Sequence, residues 1–444
     1  MKEHKSPRIA IIGGYGGMGR FFAEIFAKEG YEVVISGPNE VSGREAARKL
    51  GTGFEKSNVE AASGADIVMI SVPIDRTLDV IAEVAPHVKK GALLMDVTSV
   101  KEKPCQYMER YAAGNVEIIG AHPIFSHRVG SLEGQVFVLT PIRSTKWLAY
   151  LRKFLESHKV RVFETTPAEH DRVMAVVQGL THFAYISVGK TLEELDFDIK
   201  ESRKYASTIY ELMLDMIGRI IGQNPELYAS IQLQNPQVPA IHRVFLATAS
   251  ELSDIVKKRD EKKFVKMMKE AARHFDDLER AMGRSDKAIY SLVSELDLLK
   301  AAVGKELCLR HIYSGKMHLG MVRSVSAETV VLEENGKEST IKISNIQILP
   351  DADRIKYKKE VCGTVGRDFS VVLDEKVSEG FITALLKDYD ENIVDVKVKD
   401  VYRDSRIGDL KKSVCFGIEL IDLDAKKTQE RINLFFSGIG GSLR

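Results

Sequence analysis

A chain of 444 residues is too long for one ordinary hydrophobic core and points to about two to four domains. Its 64 Lys and Arg balance 63 Asp and Glu, so no overall field directs it to nucleic acid or to an anionic membrane. The four cysteines (Cys105, Cys308, Cys362, Cys415) are scattered without a C-x-x-C pair, and no apolar run nears the roughly 20 residues of a bilayer span, so the expectation is a cytoplasmic protein with neither metal site nor disulfide framework.

From Arg8 to about Pro167, amphipathic stretches separate short apolar runs: "RIAIIGG", "YEVVISG", "DIVMISVP", "ALLMDVTS", "VEIIGAHP", "QVFVLTP" and "VRVFETTP". Runs this apolar predict an α/β domain over residues 1–167, its parallel sheet covered on both faces. From Ala168 to about Val303 long helical periods take over, beginning with "AEHDRVMAVVQGLTHFAYISVGKTLEEL" and ending with "SDKAIYSLVSELDLLKAAVG". The first is apolar on more than one face, as expected of a helix buried between domains or subunits, so 168–303 reads as an all-α dimerisation domain of a homodimer. Residues 304–350 alternate in twos around the turn "ENGKE", which predicts a small, barrel-like β unit. After "DADRIKYKKE", residues 357–444 run strand, helix, strand, strand, helix, the order of a ferredoxin-like α+β domain.

In "IAIIGGYGGMGRFFAEIF", Gly14, Gly16 and Gly19 hold the G-x-G-x-x-G spacing after a strand and at a helix start, with Gly17 and Met18 inside it. The first glycine permits a tight turn, the second lets a pyrophosphate approach the backbone, and the third lets helix and strand pack closely. The first domain is therefore expected to be a Rossmann dinucleotide-binding domain. NAD sites usually carry an acid at the end of the second strand, but Ser36, Gly37 and Asn39 stand there. Arg44 follows, able to face a 2′-phosphate or to serve as a solvated helix residue. The missing carboxylate favours NADP over NAD.

Strand ends in such a sheet face the ligand crevice. Ser99 and Lys101 follow one strand, and His122, stiffened by Pro123, ends another. Gln178 and His182 lie four residues apart on one helix face. In "YELMLDMIGRIIGQNPELY", Arg219 is expected to be buried among Met216, Ile217, Ile220 and Ile221, needing either Asp215 or a ligand anion. From the residues alone, structural and functional roles stay equally open for His182 and Arg219.

The stretches "IIGGYGGMGRFFAEIFAKEGYEVVISG", "DVTSVK", "IIGAHPIFS", "VMAVVQGLTHFAYIS" and "MIGRIIGQNPELYASIQLQNP" resemble the prephenate dehydrogenase family over residues 8–300. The resemblance implies oxidative decarboxylation of prephenate to 4-hydroxyphenylpyruvate with NAD or NADP in tyrosine biosynthesis. It implies that His122 deprotonates the ring hydroxyl and that Ser99 bonds that hydroxyl. His182 and Gln178 would line the substrate pocket, and Arg219 would hold a carboxylate. Ile124-Phe125-Ser126-His127 departs from the family's usual Met-Phe-Gly-Pro, which makes His127 a rival base, although an exposed loop histidine is the plainer reading. Arogenate dehydrogenase is the alternative within the same chemistry; a β-hydroxyacid dehydrogenase would need a lysine that "VVQGLTHF" lacks. A non-catalytic NADP-sensing or tRNA-associated protein is the alternative from another class.

Residues 361–444 resemble the ferredoxin-fold anticodon-binding domain of the phenylalanyl-tRNA synthetase β subunit, through "GRDFSVVLDE" and "VKDVYRDSRIGDLKKSVCFGIELID". Residues 351–444 carry 17 Lys and Arg against 18 Asp and Glu, a net charge of −1 that weighs against a nucleic-acid partner, though a local patch of Arg403, Arg406, Lys411 and Lys412 stays open. A module of this kind could instead sense tyrosine as an effector, or serve assembly.

Overall fold

The computed structural model describes residues 6–275, 277–408, 410–421 and 425–443. They form two compact units, Met1–His274 and Phe275–Arg444. None of the described helices is long and apolar enough to cross a membrane.

The first unit is built on eight strands: β1 (Ile9–Ile12), β2 (Val33–Ser36), β3 (Gly53–Glu55), β4 (Ile67–Ile70), β5 (Leu93–Asp96), β6 (Glu117–Pro123), β7 (Val136–Arg143) and β8 (Arg161–Glu164). They lie in the order β3-β2-β1-β4-β5-β6-β7-β8. Every residue of β1, β2, β4 and β5 is buried, as continuous apolar runs covered on both faces require. Alternate residues feed two cores: Ile9 and Ile11 join Phe22, Phe26 and Trp147 on one face, while Ala10 and Ile12 join Ile81 and Met108 on the other. The helices on these faces are α1 (Gly17–Lys28), α2 (Glu40–Leu50), α3 (Asn58–Ser63), α4 (Ile74–Val84), α5 (Glu102–Tyr111) and α6 (Lys146–Ser157). The all-parallel expectation needs correction, because β7 runs antiparallel to β6 and carries β8 with it. A parallel return requires a long crossover, usually helical, and residues 124–135 hold no helix.

Helices alone follow: α7 (Pro167–Met174), α8 (Thr181–Glu194), α9 (Ile199–Ser202), α10 (Thr208–Ile221), α11 (Pro225–Gln234), α12 (Val238–Lys257) and α13 (Glu261–Arg273). The single helix expected from residue 168 is interrupted by a π-helical turn over Ala175–Leu180, whose wider winding re-aims side chains between α7 and α8. Ile231 of α11 joins Ile74 and Val100 in a small core that ties the helices to the sheet domain.

The second unit opens with α14 (Leu278–Ala301). Although the helical signal placed α14 with the preceding domain, its last turn packs on the small sheet, where Leu299 and Ala302 share a core with Val322, Val330 and Leu332. That sheet comprises β9 (Glu306–His311), β10 (Met317–Val325), β11 (Thr329–Glu334), β12 (Lys337–Lys342) and β13 (Ile346–Ile348), in the order β12-β11-β10-β9-β13. Asn335 and Gly336, both at positive φ, make the expected tight turn between β11 and β12. "DADRIKYKKE" forms α15 (Asp351–Cys362). Then come β14 (Thr364–Asp374), α16 (Glu379–Tyr389), β15 (Ile393–Tyr402), β16 (Lys411–Ile421), α17 (Ala425–Gly438) and a short β17 (Ser442–Leu443). The order β15-β16-β14-β17, antiparallel throughout, is the ferredoxin-like sheet.

Candidate active site

The carboxyl ends of β1, β5 and β6 converge on one edge of the first sheet, because these strands run parallel in register, Ile70 beside Asp96 and Asp96 beside Gly120. At β1 the chain turns through Gly13, whose φ of +83° and close approach to the Ser71 carbonyl exclude any side chain. The positive-φ residue is thus Gly13, one position ahead of the motif's Gly14; Gly14 instead lets the turn lie on Ile35, and Gly19 packs on Gly13. Gly16 caps α1, so the amides of Gly17, Met18 and Gly19 open its first turn, which contains no acid. This cradle fits the pyrophosphate of a dinucleotide, which would lie on the backbone a Cβ would otherwise cover. His127 is exposed, and its ring lies over Gly17, beside the cradle.

At the end of β2 the side chain of Ser36 is fully buried and donates to Asn58 Oδ1 at 2.9 Å, so its expected contact with the cofactor needs correction. Ser36 serves through its carbonyl, which accepts from the amides of Gly13 and Gly14. Tyr15, passed over in the sequence, lies across Gly37, and its hydroxyl accepts from the Asn39 amide at 2.7 Å. Arg44 is exposed and pairs with Glu40 at 2.9 Å, a carboxylate that Lys56 also approaches at 3.3 Å. These two cations hold the Glu40 carboxyl below the usual range.

His122 is the last residue but one of β6 and is 2% exposed. Its Nδ1 lies 2.9 Å from His170 Nε2, and His170 Nδ1 lies 2.8 Å from Asp171 Oδ1. The amides of Lys101 and Glu102 donate to the same Asp171 carboxylate at 2.8 and 3.0 Å, and Asn235 donates to its backbone carbonyl at 2.8 Å. A carboxylate taking donors from all sides makes His170 present Nδ1–H. Neutral His170 then offers a bare Nε2, which His122 fills with its own Nδ1–H, so His122 Nε2 is left as a lone-pair acceptor. Burial, and then the neighbouring His170 and Lys101, push His122 well below the ordinary histidine range. Burial also lowers His170, against the pull of Asp171. His170 and Asp171, absent from the sequence reading, were signalled only by the adjacent pair "HD" at a helix start.

Lys101 is fully buried against Asp96, and its Nζ donates to the Ala121 carbonyl at 2.8 Å, bracing the strand that carries His122. Its stem crosses Gly120, where a Cβ would strike Thr140 and Cys105 at 2.4 and 2.6 Å. The half-buried Ser99 stands on the same loop.

The π-helical turn brings Gln178 to this edge, with Nε2 3.5 Å from His122 Nε2. Gln178 Oε1 and His182 Nδ1 are buried without a partner among the described residues, so unpaired polar groups lie where His122 presents its lone pair. His182 sits edge-on to Tyr228, ring centres 4.5 Å apart, and burial lowers its pKa. The expected burial of Arg219 does not hold in this chain: it is exposed, as are Met216 at 44% and Ile221 at 56%, and Asp215 pairs instead with Arg203 at 3.1 Å. The Arg219 charge nevertheless acts on Tyr228, the neighbour of His182.

Family models match in succession: prephenate dehydrogenase, nucleotide-binding domain, over residues 22–164; prephenate dehydrogenase, dimerization domain, over 166–270; and ferredoxin-fold anticodon binding domain over 363–444. A Methanocaldococcus jannaschii protein named "Probable arogenate/prephenate dehydrogenase" is 42% identical across 98% of both chains. The Haemophilus influenzae "T-protein" is 27% identical over 65% of this chain and 72% of its own. Prephenate dehydrogenase of A. aeolicus, solved with hydroxyphenyl propionate and NAD+, shares the fold at TM-score 0.52 and 23% identity, over 62% of this chain and 98% of that one. The chain therefore belongs to the prephenate/arogenate dehydrogenase family, a nicotinamide-dinucleotide oxidoreductase of aromatic amino acid biosynthesis that carries a ferredoxin-fold domain at its carboxyl end.

Proposed function

We propose that the chain oxidises and decarboxylates prephenate to 4-hydroxyphenylpyruvate, with NADP+ as the preferred acceptor. The observation that carries this reading is the hydrogen-bonded chain from Asp171 through His170 to His122, which leaves His122 Nε2 bare beside Gln178. His122 takes the proton of the ring 4-hydroxyl as C4 gains carbonyl character, and Ser99 bonds the same oxygen. The bound dinucleotide supplies one service, acceptance of the hydride from C4. The electrons of the breaking bond to carbon dioxide then flow into the ring and reach the oxygen, which recovers its proton from His122. Asp171 and His170 hold the imidazolium in place between these transfers.

Arg219 and His182 take up the side-chain carboxylate. Asp96 and Asp171 are both engaged with Lys101, His170 or backbone amides, so no free acid among the named site residues would greet the ammonium of arogenate. That favours the oxo acid. On the cofactor side, Arg44 and Lys56 share the single carboxylate of Glu40, a surplus of positive charge suited to a 2′-phosphate. Steady-state kcat/KM with prephenate and arogenate, each with NADP+ and NAD+, tests the reading. It predicts at least about tenfold preference for prephenate and for NADP+, roughly 1.4 kcal/mol of discrimination each; preference for arogenate or for NAD+ would reverse the respective assignment.

A further inference from the structure

A cavity of about 850 Å3 lies within the second unit, where the end of α14, the small sheet, α15 and the ferredoxin-like domain meet. Small-molecule sites commonly enclose about 300–1,000 Å3. Helix α15 points two cations at it one turn apart: the side chains of Arg354 and Lys358 are only 6% and 3% exposed. Like charges so placed repel and lose hydration, and they persist only where acids repay both costs. Glu306 bonds both, at 3.0 and 3.1 Å, and Glu391 grips Arg354 with its two oxygens at 3.3 and 2.6 Å. Arg431 on α17 also lines it and pairs with Asp390 at 2.7 Å.

That set is matched, but two further lysines line the same space. Lys305, on the small sheet's side, and Lys427, on α17, are exposed at its rim, and neither pairs with an acid among the described residues. Leu298, Leu307, Met321 and Ile348 supply an apolar wall beside them. Two lysines at the rim of an apolar wall are complementary to an anion with a hydrophobic body.

We infer that this cavity is a second ligand site that takes a small organic carboxylate with an apolar body. Lys305 and Lys427 hold the carboxylate, the Arg354–Lys358–Glu306–Glu391 network keeps the walls in place, and the aliphatic wall takes the body. Tyrosine and 4-hydroxyphenylpyruvate share this chemistry; the proposed function enters only in choosing them as probes.

The experiment is titration calorimetry on the full chain without cofactor, using L-tyrosine, 4-hydroxyphenylpyruvate and inorganic phosphate. One variant carries Lys305→Ala with Lys427→Ala; a second carries Met321→Trp to fill the space. The inference predicts that at least one of the two aromatic carboxylates binds the wild-type chain and that each variant weakens that binding at least about tenfold. The amino acid and oxo acid arms decide which source of the carboxylate is preferred. Binding of neither carboxylate, binding of phosphate alone, or binding unchanged in both variants would each overturn it. None of these outcomes depends on whether prephenate is turned over.

Discussion

An imidazole accepts a proton only in its neutral form, and the surroundings of His122 secure that form twice. Burial and nearby positive charge disfavour the imidazolium, while the directional sequence of donors from Asp171 outward settles which nitrogen stays bare. The sign for pH follows: the active base form is lost as pH falls through a pKa below 6.5, so kcat should stay flat through neutrality and decline only in acid. An acid limb at or above pH 6.5 would contradict this environment. Asp171→Asn tests the relay itself. An asparagine NH2 must face either the Glu102 amide or the other donors, so kcat should drop by roughly 10²-fold or more while KM for the substrate changes little. Wild-type kcat in that variant would reduce Asp171 to a helix-anchoring role.

Among the elements, α8 is the most telling, since none of its fourteen residues is buried although Ile186 and Val188 are apolar. On α12, Val244 and Leu246 are 66% and 55% exposed. Apolar helix faces of this kind are suited to cover by another subunit, consistent with the dimerization-domain match. Sedimentation velocity at micromolar concentration should find a dimer, and Val244→Glu with Leu246→Glu should yield monomer. A monomeric wild type, or an unaffected double variant, would contradict the dimer. The misplaced Arg219 has a related cause: apolar neighbours in a single sequence look like core, so Met216 and Ile221 on α10 suggested burial that this chain alone does not provide.

Across the whole molecule, what was legible in the sequence followed local rules. Apolar runs marked the strands of the first sheet except for the short β3, the glycine spacing marked the cofactor turn, and turn chemistry marked the β11–β12 hairpin. Strand direction at β7 was hidden, because an apolar run reads the same either way. The π-helical turn at Gln178 was hidden too, since "AVVQGL" fits ordinary helical spacing. His122 was identifiable from its strand end and from the family resemblance, whereas His170 and Asp171 act on it across 48 residues, a link only the fold makes. In the tail, the proposed basic patch is largely neutralised, with Arg403 on Glu375, Arg406 on Asp404 and Lys412 on Glu379, which removes an electrostatic reason for RNA binding there. The account rests finally on His122 as the base, and His122→Asn measures that directly. NADP+ affinity should remain within about twofold of wild type while kcat with prephenate falls roughly 10²–10⁴-fold; turnover at the wild-type rate in that variant would contradict the mechanism.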